Sequence, residues 1–131
     1  MEEALIKRLI DAPEMYRVIG RDVYWGIAPE GSKAPYLIIQ LAARNRDYTH
    51  DGAADLQYPR VQFDVYARTK ADAAKVSRLL LNELERRKVV AGVVFEGAIL
   101  VYESDGDASA SEGGRKTFRT TMDFLVPHRP Q

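Results

Sequence analysis

His50 stands between Asp47 and Asp51, so an imidazole and two carboxylates share a few residues of chain, a combination that could bind a metal or move a proton. A metal site needs three or four converging ligands. No HxxxH or HxH spacing accompanies this cluster, and the other histidine is His128, far along the chain. The segment therefore reads as a solvated loop with no metal. Asp105, Asp107, Ser109 and Glu112 echo a calcium loop faintly. An EF-hand loop places glycine at its sixth position and a bidentate glutamate at its twelfth, between two helices. Here Glu112 falls at the eighth position and strand-like runs flank the stretch, so a polar hairpin tip is expected instead. Nucleophile patterns fail as well. No serine occupies a GxSxG elbow, no cysteine is present, and no GxxxxGK[ST] or GxGxxG phosphate loop occurs. The expectation is a protein with no catalytic residues, no cofactor and no enzymatic activity.

The elements that carry these residues follow from periodicity. Leu5, Ile6, Leu9 and Ile10 recur at helical spacing behind Glu2 and Glu3, whose charge suits a helix amino end. Pro13 can open a second short helix and Gly20 can close it. Residues 23–27 are β-prone, and residues 36–41 are apolar on both faces, as for a strand covered on each side. Residues 44–58 carry turn chemistry and form a projecting loop. Val61, Phe63, Val65 and Ala67 then alternate with Arg60, Gln62, Asp64, Tyr66 and Arg68, which gives a strand with one core face and one face toward water or a neighbouring subunit.

Thr69 and Asp72 form a variant capping box at the start of the longest helix, which runs to about Lys88. Ala73, Val76, Leu80 and Leu84 make its apolar stripe, widened by Leu79 and Leu81. Residues 93–102 and 116–126 read as two further strands around the polar stretch. The class is α+β: a mainly antiparallel sheet with the long helix and a short N-terminal helix on one face.

The chain has 131 residues, enough for one self-sufficient core, so a single domain over residues 1–131 with a flexible loop at about 103–115 is expected. Its 19 basic and 19 acidic side chains cancel. That balance lacks the positive field by which proteins hold nucleic acid, so sequence-specific nucleic-acid binding is not expected. Charges interrupt every apolar run, and the acidic start is unlike a signal peptide, so neither membrane insertion nor export by that route is expected.

Three stretches then carry a family resemblance. Arg21-Asp22-Val23-Tyr24-Trp25-Gly26-Ile27-Ala28-Pro29-Glu30-Gly31, followed by Ala34-Pro35-Tyr36-Leu37-Ile38-Ile39-Gln40, supplies a strand, an Ala-Pro turn and a Pro-Tyr strand start. Val61-Gln62-Phe63-Asp64-Val65-Tyr66-Ala67 leads through Asp72-Ala73 into the long helix, and Arg119-Thr120-Thr121-Met122-Asp123-Phe124-Leu125-Val126 comes near the end. In order and spacing the chain resembles the tail-completion, or tail-terminator, proteins of long-tailed bacteriophages, which also occur in prophages and gene transfer agents.

The resemblance implies a structural protein that caps the finished tail tube as a homo-oligomeric ring, generally of six, stops tube polymerisation and offers the surface for head–tail joining. Its implied partners are itself, the tail tube protein and a head–tail connector or neck protein. The implied location is the tail–head junction of a virion, with assembly in the bacterial cytoplasm. The alternatives are a head–tail connector component and a small α+β ligand-binding or regulatory module. On either assembly reading the candidate interface residues are Arg44, Arg46, Tyr48, His50, Asp51, Gln62, Asp64, Tyr66, Asp105, Asp107 and Arg115.

Overall fold

A computed structural model describes residues 1–44, 56–108 and 117–131. Its framework is a five-stranded sheet in the order β1 (Val23–Trp25), β2 (Tyr36–Ala43), β3 (Arg60–Ala67), β7 (Thr117–Leu125) and β6 (Ile99–Ala108). Only the β1–β2 pairing is parallel, and the other ladders are antiparallel. Three helices, α1 (Glu2–Ile10), α2 (Pro13–Ile19) and α3 (Lys70–Leu84), supply the other layer, so the class is α+β as expected.

Why the layers meet follows from alternation. Val61, Phe63 and Val65 of β3 lie across from Leu41, Ile39 and Leu37 of β2 and from Phe124, Met122 and Thr120 of β7, so one face of three adjacent strands is almost continuously apolar. Leu5 and Leu9 of α1, Met15 of α2 and Val76, Leu80 and Leu84 of α3 close over it in one buried cluster. Burial of this kind contributes about 25 cal/mol per Å² of apolar surface removed from water.

The ends of the helices carry their expected signals. Thr69 Oγ1 accepts the Asp72 backbone N–H at 3.0 Å and caps α3. Gly20 closes α2 with a φ of 59°, in the left-handed region that a side chain disfavours.

Four expectations need correction. The long helix stops at Leu84 rather than near Lys88, and Lys88–Val90 instead forms β4. The run 93–102 is two strands, β5 (Val93–Phe95) and β6, broken at Gly97 and Ala98. The break is physical: the Ala98 N–H donates to the Leu84 carbonyl at 2.8 Å, and a Cβ on Gly97 would stand 2.6 Å from the Glu85 carbonyl oxygen. Strand β2 is not covered on both sides, because Tyr36 and Ile38 are half-buried and Gln40 is exposed. The expected loop at 103–115 begins late, since β6 pairs with β7 as far as Ala108 opposite Thr117. Residues 109–116 lie outside the described residues.

A second sheet, β4–β5–β8, completes the fold, with β8 at His128–Pro130. Val90 and Phe95 from it join the main core cluster. Against it sits Arg8, 1% exposed, whose guanidinium binds Glu83 Oε2 at 2.8 Å, the Glu83 carbonyl, and the Arg86 carbonyl at 2.7 Å. Arg8 also lies 5.5 Å from the Phe95 ring centroid. The last turn of α3 has no basic residue of its own, so α1 supplies the cation that the free carbonyls at a helix end favour.

Candidate assembly surface

The face of the sheet opposite the helices contributes none of the residues in the core cluster. By register it carries Tyr24, then Tyr36, Ile38 and Gln40, then Tyr66, Asp64, Gln62 and Arg60, then Arg119, Thr121 and Asp123. Three tyrosines crowd one corner of it. Tyr36 and Tyr66, directly paired across β2 and β3, stack with ring centroids 4.8 Å apart, and Tyr24 meets Tyr36 edge-on at 6.3 Å. Such flat, amphipathic rings are enriched where proteins meet. The Tyr24 hydroxyl donates to Asp22 at 2.9 Å, and that hydrogen bond raises the phenol pKa by favouring the protonated form.

In the middle of this face two carboxylates are nearly enclosed. Asp64, 5% exposed, accepts hydrogen bonds from the Thr121 hydroxyl at 2.6 Å and from Gln62 Nε2 at 3.0 Å. Asp123, 6% exposed, accepts both Nε and Nη2 of Arg60 on one oxygen, at 3.0 and 2.7 Å. Its other oxygen is buried with no hydrogen-bond partner among the described residues. Burying a charged acceptor without a donor costs roughly 1–3 kcal/mol or more. Among the described residues this face has no covering layer and is ordered by its own side chains.

The strand at the rim differs. β6 ends the sheet, so among the described residues no strand pairs with its outer side. Ile99, Val101 and Tyr102 are exposed there, although an edge with free N–H and C=O groups and apolar side chains is a template for pairing with another chain. On the helix side, Glu103 and Asp105 of β6 face α3 across a groove of about 490 Å³, lined also by Lys70, Ala74, Arg78 and Leu81. Asp105 accepts the Thr120 hydroxyl at 2.9 Å.

The expected interface residues separate into three groups. Gln62, Asp64 and Tyr66 share the open face, with Asp64 enclosed rather than projecting. Asp105 lies on the other face at the rim, and the Asp107 backbone pairs with Phe118. Arg44 is exposed just past β2, with one guanidinium nitrogen 3.8 Å from Glu2. Arg46, Tyr48, His50, Asp51 and Arg115 lie outside the described residues. The chain leaves β2 at Ala43 and enters β3 at Arg60, at one end of the sheet, whereas it leaves β6 at Ala108 and enters β7 at Thr117, at the other. With about 3.4 Å per residue, an eight-residue strand sets these two connections roughly 24 Å apart.

Sequence reasoning missed Ile99 and Val101 as exposed side chains, because an apolar run in an edge strand has the same composition as one in a buried strand. It also missed Arg60, Thr121 and Asp123 as a bonded set, since a polar alternation does not reveal which strands will be neighbours. Among the described residues no group of three or more His, Cys, Asp or Glu is placed to hold a metal, and no helix is long and apolar enough to cross a membrane.

Against known proteins, no curated sequence matches the chain. A chain solved in the virion of a native gene transfer agent particle superposes with a TM-score of 0.68 at 14% identity, over 98% of this chain and 94% of that one, so the two share a fold. A second solved chain reaches a TM-score of 0.48 at 16% identity, over 99% and 95% of the respective lengths. The family model described as tail completion protein gp17 matches residues 3–126. The chain belongs to that family, and with it to the structural proteins of phage tails.

Proposed function

From that membership we propose that this protein is the terminator of a phage-type tail: a ring of six copies that caps the tail tube, stops its polymerisation and presents the surface that joins tail to head. The observation that carries the reading is the placement of the two long connections at opposite ends of one sheet. A terminator must face two ways, toward the tube and toward the neck, and a subunit with distinct termini along its strand axis suits that need. Closure into a ring requires head-to-tail contact between two different patches of one subunit. The tyrosine-bearing face and the open β6 edge are two such patches. The work is mechanical and electrostatic, with no bond made or broken, so the protein acts without enzymatic turnover.

Native mass spectrometry of concentrated protein, alone and with tail tube protein, tests the ring. A species of six chains is expected, and a strictly monomeric protein under both conditions refutes it. Deleting residues 109–116 in a producing particle separates the two assembly roles. Tails of abnormal length identify a terminator, whereas normal tails that fail to join filled heads identify a neck component. The deletion stays within 109–116 because Asp105 to Ala108 are paired strand, so a longer excision would remove ladder and the Asp105–Thr120 bond along with the tip.

A further inference from the structure

Six large apolar side chains are exposed among the described residues, and four of them gather at the two edges of the five-stranded sheet. Ile99, Val101 and Tyr102 stand within four consecutive residues of β6, at one edge. A bulge causes the crowding: the β6–β7 register skips Val101 between Leu100 and Tyr102, which interrupts the alternation that returns every second side chain to the core. Ile27, 81% exposed, stands just past β1 at the other edge, where Gly26 donates its N–H to the Ile39 carbonyl at 2.8 Å and turns the chain with a φ of 86°. Apolar side chains exposed singly are ordinary, but a set of them along a strand edge marks a place where another chain sits.

Strand direction selects the occupant. β1 runs parallel to β2, and each later pairing across the sheet is antiparallel, so β1 and β6 run in opposite senses. When a second copy is set beside the first with the sheet faces matched, its β1 lies antiparallel to β6 of the first. The start of β6, with Ile99 and Val101, then meets the end of β1, with Ile27, and Tyr102 meets Tyr24 on the open face. β1 has three residues against ten in β6, so the contact spans the apolar part of β6 and leaves Glu103 and Asp105 beyond it. Pairing β6 along its whole length with β6 of another copy would instead set Val101 opposite Gly106 and Tyr102 opposite Asp105, which gives the large apolar side chains no apolar partner.

We propose that the β6 edge of one copy, at Ile99, Val101 and Tyr102, packs against the β1 edge of a second copy, at Tyr24 and Ile27. Side chains carry the contact rather than a regular ladder, because the bulge at Val101 breaks the spacing of main-chain groups there. The two surfaces are different parts of one chain, on opposite edges of one sheet, which is the heterologous contact a closed ring requires. The inference rests on the ring proposed above and names the contact that closes it.

A carboxylate placed on either edge tests it. Ile99→Asp and, separately, Ile27→Asp are each expected to raise the concentration at which half the chains assemble by about tenfold or more, since a buried charge without a partner is costly. Far-ultraviolet circular dichroism and melting temperature should stay unchanged, because both side chains are exposed in the subunit. Val89→Asp, at an exposed apolar position on the smaller sheet, should assemble like the wild type. If neither edge variant changes assembly, or Val89→Asp impairs it equally, the contact is wrong while the ring stands. If only one edge variant impairs it, that edge meets a different partner and the pairing is overturned. Wild-type protein that stays monomeric, alone and with tail tube protein, overturns the ring as well. Because the chain has no cysteine, Ile27→Cys protein mixed with Ile99→Cys protein and treated with a bismaleimide gives a second readout. A cross-linked dimer is expected from the mixture and from neither variant alone, whereas cross-linking of Ile99→Cys with itself assigns the β6 edge to a symmetric pair and refutes the proposal.

Discussion

The two faces of the five-stranded sheet are built on opposite principles. The helix-covered face is a packed apolar layer in which Phe63 and Phe124 meet edge to face at 5.4 Å and nearly every side chain is excluded from water. The open face is a bonded mosaic in which Thr121, Gln62 and Arg60 hold two carboxylates in place. The first face gains its order from a partner layer. The second is ordered by its own hydrogen bonds, so a partner that met it would have less side-chain entropy to overcome.

Three substitutions break or sharpen that contrast. Arg8→Ala should have the largest effect, about 3–5 kcal/mol, because it takes the closest partner from the buried Glu83 carboxylate, leaving only the longer contacts of Arg86 at 3.5 Å and Lys88 at 3.7 Å, and frees two carbonyls at the helix end. Chemical denaturation reads it directly. Leu80→Ala, in the centre of the covered face, should cost about 2–5 kcal/mol by the same measurement. A cost under about 0.5 kcal/mol, the level of surface changes, would contradict the packing. On the open face, Asp64→Ala removes the acceptor of two bonds and should cost about 1–3 kcal/mol. If it costs nothing, the mosaic is decoration and the contrast between the faces fails.

The smallest effect lies off both faces, at His128. Burial lowers its pKa below the usual imidazole value, while its Nδ1 donates to the Val126 carbonyl at 3.0 Å, which opposes the shift. Because the folded pKa is the lower one, the unfolded chain binds more protons between the two values. The protein should thus keep full stability above about pH 6.5 and lose a little as pH falls through that point toward the lowered value. Melting temperatures measured from pH 7.5 to 5 should show this slope, and His128→Asn should flatten it.

How much of this was legible in the sequence depended on whether a signal was local. Val76, Leu80 and Leu84 announce their buried stripe by spacing, and Thr69 with Asp72 announces the cap, because helix signals act over one turn. The alternation at Val61, Phe63 and Val65 likewise identifies its own inward face. Arg8 reveals nothing by spacing, since its partner Glu83 lies 75 residues away and only the fold brings them together. The small sheet was missed for a similar reason: β4, β5 and β8 are three residues each, too short to show a period. The bonded set on the open face depended on strand order, which alternation within one strand does not contain.

Gly97 gives the architecture a lever. Backbone of Glu85, just past the end of α3, presses against it so closely that a single methyl group would collide with main chain, which cannot swing aside as a side chain can. A Gly97→Ala substitution is thus a wedge driven between the helix end and the start of β6. Arg8 and the Ala98 N–H hold that same helix end from two other directions, so tilting α3 as a rod is one way to relieve the wedge. The far end of the rod, at Lys70, lies along the groove beside β6. One methyl at the fulcrum would thereby change the width of a slot many residues away.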